Sequence, residues 1–135
     1  MKRSEMMRKP MRSRFKPTGP SAAVVDLVLE RAGYSCELDG AQIGDRRGVD
    51  FHVHHRRPRR MGGSQLPDTN APPNLLILCP TCHETVESQR TVAYEGGWLV
   101  RQHADPATTP VLVLARLVLL TVDGKYAPVG GEVDG

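Results

Sequence analysis

The stretch NLLILCPTCHETVE, residues 74–87, decides the fold of this chain. It begins with an apolar run, residues 74–79, which is typical of a short buried strand. Residues 80–89 then begin with a proline and carry Thr81 and Glu84 at the spacing of a T-x-x-E capping box, which indicates a helix. The sequence therefore predicts a strand that leads directly into a helix, with a C-x-x-C-H motif at the junction.

A second stretch, FHVHHRRPRRMGG at residues 51–63, places three histidines among four consecutive positions. Residues 48–55 alternate apolar and polar side chains, with the period of a half-buried strand. Residues 56–73 contain proline, glycine, asparagine and serine and are predicted to form a loop. The order is therefore strand, loop, strand and helix, so the histidines that close the first strand can meet the C-x-x-C-H motif.

The flanking segments complete the organisation. Residues 20–33 predict a helix, because Ser21 can cap its start and Gly33 can end it. From Gly96 onward the sequence predicts short strands at GGWLV, at the apolar run 111–120 and at VDGKYAPV. Asp123-Gly124 is a hairpin signal. The chain is thus divided into a basic flexible arm, a central domain and a β-hairpin-like extension, at residues 1–20, 21–95 and 96–135.

Composition and charge narrow the class of protein. The chain has 135 residues, enough for one modest domain with tails, and aromatic residues make up only 4% of it. So few aromatic residues predict a small hydrophobic core, which makes a stabilising metal ion or another cross-link plausible. Residues 1–20 carry seven Lys and Arg against Glu5, whereas the remainder is net negative. A basic arm on a near-neutral body favours a nucleic-acid partner, although a solubilising tail has the same composition.

Several features argue against a secreted or membrane protein. The apolar run 111–120 is too short to cross a bilayer and contains Arg116. The basic start of the chain lacks the apolar segment of a signal peptide. Three cysteines, an odd number, favour metal binding or free thiols over a disulfide framework. The sequence therefore predicts a cytoplasmic protein with no membrane association.

The combination HVHHRRPRRMGG…NLLILCPTCHETVE resembles the HNH endonuclease family over roughly residues 34–90. A His-His pair, a Gly-Gly loop, an Asn and a C-x-x-C-H motif occur in the family's order and at its spacings, which makes the signal specific. The resemblance implies an α+β fold built on a ββα-metal (His-Me) finger. An N-terminal helix, a structural zinc knuckle and a C-terminal β extension would complete it.

The resemblance also implies roles for the central residues. His55 matches the general base, and His54 and His83 match ligands of a catalytic divalent ion such as Mg²⁺ or Mn²⁺. The chemistry agrees, because phosphodiester hydrolysis needs a base and a cation and imidazole can serve as base or ligand. Asn74 matches the family's Asn, which holds the histidine strand or ligates the metal. An Asn that merely begins a strand is the alternative interpretation. Glu87 is a weaker candidate ligand, for which a solvated helix glutamate is the favoured interpretation.

Relatives carry two C-x-x-C knuckles that bind a structural zinc ion. Here Cys79 and Cys82 make one knuckle, but the other pairs Cys36 with Asp39, where a second cysteine is expected. Asp39 is the favoured fourth ligand, His52 is an alternative, and a weak or absent zinc site is the third possibility. Four arginines beside the His-His pair are expected to contact DNA phosphates, namely Arg56, Arg57, Arg59 and Arg60.

These features predict a metal-dependent endonuclease acting on double-stranded DNA, with weak sequence preference. Phage relatives of this size often act beside the large terminase in genome packaging, so the resemblance suggests that partner and the host cytoplasm as location. Two alternatives remain open at this point. One is a non-catalytic, zinc-stapled DNA-binding or packaging accessory protein, and the other is a nuclease directed at RNA.

Overall fold

A computed structural model of the protein describes residues 19–58 and 66–130. Arg59 and Arg60, and nearly all of the basic arm predicted at residues 1–20, lie outside the described residues. The helices within the described ranges include none long and apolar enough to cross a membrane.

Helix α1 spans Ala22–Ala32 and ends as the sequence predicts. The Ser21 hydroxyl accepts a hydrogen bond from the backbone N–H of Val24 at 3.2 Å, which satisfies one of the unpaired donors of the first turn. Gly33 ends the helix in the left-handed conformation, with a φ of 67°. One face of α1 packs Val28 against an apolar cluster formed with Phe51, Leu75 and Ile77.

Two short strands, β1 (His52–His55) and β2 (Leu75–Leu78), pair antiparallel. The register places His54 opposite Leu76 and His55 opposite Leu75. All four side chains of β2 are fully buried, because Leu75 and Ile77 face α1 and the other two face the C-terminal half of the chain. Both strands are shorter than predicted, but their order and positions are confirmed.

Helix α2 (Pro80–Ser88) follows β2 directly, and α3 (Arg90–Glu95), which the sequence did not predict, comes next. The N-cap of α2 is Cys79, whose Sγ accepts from the backbone N–H of Cys82 at 3.4 Å. The predicted Thr81–Glu84 capping box is therefore wrong, because Thr81 already lies inside the helix. Pro80, with its φ preset for helix and no N–H to satisfy, takes the first helical position instead.

Three further strands form an antiparallel sheet with β4 in the middle: β3 (Val111–Val113), β4 (Arg116–Leu120) and β5 (Tyr126–Pro128). The predicted Asp123-Gly124 turn joins β4 to β5, and Gly124 has a φ of 81° that suits glycine. The segment GGWLV is not a strand, contrary to expectation. It runs beside the end of β1 instead, where the Val100 N–H donates to the carbonyl of Arg56 at 2.8 Å.

The C-terminal sheet and the ββα unit share one hydrophobic core. Val111, Val118 and Leu120 pack with Leu76 and Leu78 of β2. The approach is close at Gly97, where an added Cβ would lie 2.1 Å from a backbone carbonyl oxygen. The residues after 96 therefore cover the ββα unit.

Arg56 lies at the centre of this assembly and is completely buried. Its guanidinium donates to four backbone carbonyls at 2.8 to 3.0 Å, those of Pro73, Gly97, Pro106 and Thr109. Burial lowers the pKa of Arg56 to about 10, so it stays charged near neutral pH. The expectation that Arg56 contacts DNA phosphates is therefore wrong, because its donors are already used inside the protein.

We predict that Arg56→Met lowers the free energy of unfolding by roughly 3 kcal/mol or more, since it leaves buried carbonyls without donors. Arg46→Met is the matched control, because Arg46 is exposed and pairs with Asp50 at the surface. Urea unfolding followed by circular dichroism measures both variants. Equal, small losses in the two variants would contradict a structural role for Arg56.

Candidate functional site

A pocket of about 240 Å³ opens where β1 ends beside α2. Predicted site residues come together there, although β1 and α2 are separated by a long loop in the sequence. The lining residues are Val53, His54, His55, Pro58, His83, Glu87 and Arg90.

His54 is held in one tautomer by the segment that follows α3. Its Nε2 lies 2.8 Å from the carbonyl oxygen of Trp98, which can only accept, so Nε2 carries the proton and Nδ1 keeps its lone pair. Burial lowers the pKa of His54 to about 4, against a weaker opposing effect of the Trp98 carbonyl. The imidazole is therefore neutral near pH 7, which is the form that binds a metal.

His83 and Glu87 reach His54 from consecutive turns of α2. Glu87 Oε2 lies 3.7 Å from His54 Nδ1 and 3.7 Å from His83 Nε2. One ligand atom from each of the three residues lies within 4.8 Å of the others. Glu87 is half-exposed and its carboxylate lies between the two imidazoles, a position that fits the weaker candidate ligand as well as a solvated helix glutamate.

The ring of His83 is further positioned by His52. The two rings stack with centroids 4.5 Å apart and planes 21° from parallel. Burial and the neighbouring His52 lower the pKa of His83, whereas Glu87 acts in the opposite direction. His52 and His54 lie on the same face of β1, because side chains of a strand alternate between its faces.

His55 is oriented by a residue that sequence reasoning missed. Its Nε2 lies 2.8 Å from Oδ1 of Asn70, which assigns the proton to Nε2 and the lone pair to Nδ1. The strand was expected to end or bulge at this point, and it ends at His55. Asn70 lies 15 positions away in the loop, and only the folded loop brings it to His55.

Asn74 is fully buried and its amide bonds only to backbone groups among the described residues. Oδ1 accepts from the N–H of Arg57 at 2.7 Å, and Nδ2 donates to the carbonyl of Thr69 at 2.8 Å. These bonds tie the end of β1 to the loop, which is one of the roles that the resemblance implies for Asn74.

Arg57 is also engaged within the protein. It is 6% exposed, donates to the carbonyl of Ala104 at 2.8 Å and forms an ion pair with Asp68. The expectation that Arg57 contacts DNA phosphates is corrected for the same reason as for Arg56. Its donors hold the loop that carries Asn70 against the segment after α3.

A second cluster lies at the start of α2, where the thiols of three cysteines meet Asp39. One ligand atom from each of Cys36, Asp39, Cys79 and Cys82 lies within 4.8 Å of the others. Burial raises the pKa of Cys36 and of Cys82, so without a cation these thiols keep their protons. A divalent cation would reverse this balance, because a metal binds the thiolate form.

Asp39 is aimed at the thiols by its own backbone turn. Its Oδ1 accepts from the Ala41 N–H at 2.9 Å, and this bond is the main reason that the pKa of Asp39 is lowered. Oδ2 lies 3.3 Å from the Sγ of Cys82 and 3.7 Å from that of Cys79. The cluster thus contains the expected Asp39, and His52, the alternative fourth ligand, stacks on His83 instead.

Comparison with known families identifies the same region. Residues 36–89 match the sequence model of a family described as HNH endonuclease. No curated protein and no solved structure was found to match the chain. The matched range begins at the first cysteine of the cluster and includes both strands of the finger and α2.

We predict that the buried His54 makes the protein less stable in mild acid. Its pKa in the folded chain, about 4, lies below the ordinary value of 6.5, so the unfolded chain takes up the proton first as pH falls. The stability present above pH 6.5 is lost toward pH 4, with roughly 2 kcal/mol lost between pH 7.5 and pH 5. Urea unfolding of wild type and His54→Gln at both pH values isolates this effect, and an equal loss in both proteins would contradict it.

Proposed function

We propose that the protein is a metal-dependent endonuclease that hydrolyses phosphodiester bonds of double-stranded DNA, because residues 36–89 match the HNH endonuclease family model. The observation that carries the proposal is the meeting of two chemically distinct groups in one pocket. His55 supplies a base, and His54, His83 and Glu87 supply a set of metal ligands. Phosphodiester hydrolysis needs both.

In the proposed mechanism, Nδ1 of His55 removes a proton from the attacking water. Asn70 supports this role, because a carbonyl-type oxygen at Nε2 stabilises the imidazolium that forms when Nδ1 takes up the proton. Asn74 contributes indirectly, by holding the residue two positions beyond His55 against the loop.

The ligand set fits a divalent cation. His54 presents the lone pair of Nδ1, His83 presents Nε2, and Glu87 adds a carboxylate oxygen and a negative charge. The two imidazoles suit transition-metal ions, and the carboxylate suits Mn²⁺ and Mg²⁺, the cofactors that the resemblance implies. When bound, such an ion acts as a Lewis acid on the phosphate and stabilises the departing 3′ oxygen. Cleavage would then leave 5′-phosphate and 3′-hydroxyl ends.

We predict that the purified protein nicks supercoiled plasmid when Mg²⁺ or Mn²⁺ is present, and that His55→Ala lowers the rate by roughly 10²- to 10⁴-fold, the usual contribution of a general base. His103→Ala is the matched control, because His103 is exposed and does not line the pocket. Gel electrophoresis with and without EDTA measures nicked and linear products.

Equal cleavage by wild type and His55→Ala would rule out His55 as the base. No cleavage by either, with DNA binding retained, would favour the non-catalytic accessory protein. A packaging role beside a phage large terminase stays a prediction of the resemblance.

We further propose that the cluster of three cysteines and Asp39 binds a structural zinc ion. The support is geometric, because the four donors come from two separate turns and meet at the start of α2. A metal there would tie the segment before β1 to the helix that carries His83. Structural zinc sites of this kind contribute directly to folding stability.

We predict that wild type retains about one zinc ion per chain after purification, since structural zinc sites hold one tetrahedral ion. Asp39→Ala should weaken retention, and Asp39→Cys, which completes four cysteines, should restore or tighten it. Metal analysis after dialysis against a mild chelator measures this, with Asp45→Ala as an exposed control outside the cluster. Equal zinc content in Asp39→Ala and wild type would remove Asp39 from the site.

A further inference from the structure

The burial of Arg56 and Arg57 leaves open which described side chains receive the negative backbone of DNA. Both side chains are buried and donate to backbone carbonyls or to Asp68, so they present little surface to a ligand. A duplex placed over the pocket would still need cations at its rim, because phosphate contacts supply most of the position and affinity of such complexes.

Arg90 is the arginine that lines the pocket itself, together with the catalytic histidines. It begins α3, its side chain is 48% exposed, and one guanidinium nitrogen lies 3.6 Å from Glu87 Oε1. Its guanidinium also lies over the ring of Tyr94, 6.0 Å from the centroid. Arg90 is therefore positioned beside the proposed metal ligands while part of it remains open to a ligand.

Arg101 approaches the same tyrosine from the segment after α3. Its guanidinium carbon lies 4.0 Å from the centroid of the Tyr94 ring, and the residue is exposed. This segment follows the exit of β1, because Gln102 donates to the carbonyl of Pro58 at 2.6 Å and Pro58 lines the pocket. Arg101 thus lies near the rim of the pocket, although it is far from the histidines in sequence.

Stacking on an aromatic ring suits an arginine to phosphate binding. A ring that lies under the flat face of a guanidinium leaves its N–H donors, which lie in its plane, directed outward. Such a contact also limits side-chain motion, which reduces the entropy lost when a phosphate binds. Tyr94 is itself packed against the core, and its ring centroid lies 4.0 Å from the Arg101 guanidinium and 6.0 Å from that of Arg90.

We propose that Arg90, Tyr94 and Arg101 form a phosphate-binding track that holds the DNA backbone on one side of the catalytic pocket. This inference rests on the proposed function and deepens it. Arg90 binds the phosphate next to the scissile bond, and Arg101 binds one further along the strand. Tyr94 orients both guanidinium groups. Its role does not require a contact with the substrate.

The test is the salt dependence of binding by the full chain to a fluorescently labelled duplex, in buffer with no added divalent metal. We expect Arg90→Gln and Arg101→Gln each to weaken binding several-fold. Each should also reduce the slope of log Kd against log salt concentration by about 1, because one phosphate contact contributes roughly 0.9. Arg116→Gln, an exposed arginine on β4 that does not line the pocket, should leave both quantities unchanged.

Two further variants keep the result interpretable. Arg101→Lys retains the charge and should keep the slope, and Tyr94→Leu should weaken binding while the arginines remain present. Circular dichroism confirms that each variant is folded. Unchanged slopes in both Gln variants, or an equal loss in Arg116→Gln, would overturn the track, as would a wild type that does not bind DNA.

The outcome is separable from that of the nicking assay. Binding that loses slope in the two variants, by a chain that never cleaves plasmid, supports the track and refutes the nuclease. Plasmid cleavage by the protein, together with unchanged slopes in both Gln variants, supports the nuclease and refutes the track.

Discussion

The rest of the structure depends on one buried cation. Arg56 follows β1 directly and has no carboxylate partner among its described hydrogen bonds, so backbone carbonyls alone satisfy its donors. Burying an unpaired charge is costly, and the cost is tolerable only while all the acceptors stay in place. The carbonyls come from the turn before β2, from the close approach at Gly97 and from the loop before β3. A single side chain therefore fixes three segments around the end of β1.

That constraint explains how the histidines are oriented. The segment bound by Arg56 continues to Trp98, whose carbonyl sets the tautomer of His54. The loop held by Asn74 and Arg57 continues to Asn70, which sets the tautomer of His55. In both imidazoles the proton lies on Nε2 and the lone pair on Nδ1, although we propose different tasks for the two side chains. Partners that lie far away in sequence thus orient two neighbouring residues of one strand, the proposed metal ligand and the proposed base.

Helix α2 links the two metal-binding clusters. Its first turn contributes Cys79 and Cys82 to the cysteine cluster, and the following residues present His83 and Glu87 to the pocket. An ion held by the thiols would therefore fix the start of the helix whose next turn holds the proposed ligands of the catalytic ion. The buried ion pair between Arg31 of α1 and Glu37 supports the same region. Glu37 also accepts a hydrogen bond from the Ile77 N–H of β2 at 2.8 Å. The finger is small, and these polar contacts supplement its limited apolar core.

Local patterns in the sequence determined the ends of α1, the order of strand, loop, strand and helix, the turn at Asp123-Gly124 and the two clusters of ligand types. These features depend on periodicity, capping and spacing, which neighbouring residues express without help from the rest of the chain. Only the tertiary structure decided what the arginines and amides do. The composition RRPRR indicates charge but cannot show that two of its arginines face inward, because the carbonyls that receive them lie up to 53 positions away. The same reason applies to Asn70, which meets His55 from 15 positions away, and to the approach of Glu87 to His54. These contacts are long-range, and no local pattern encodes them.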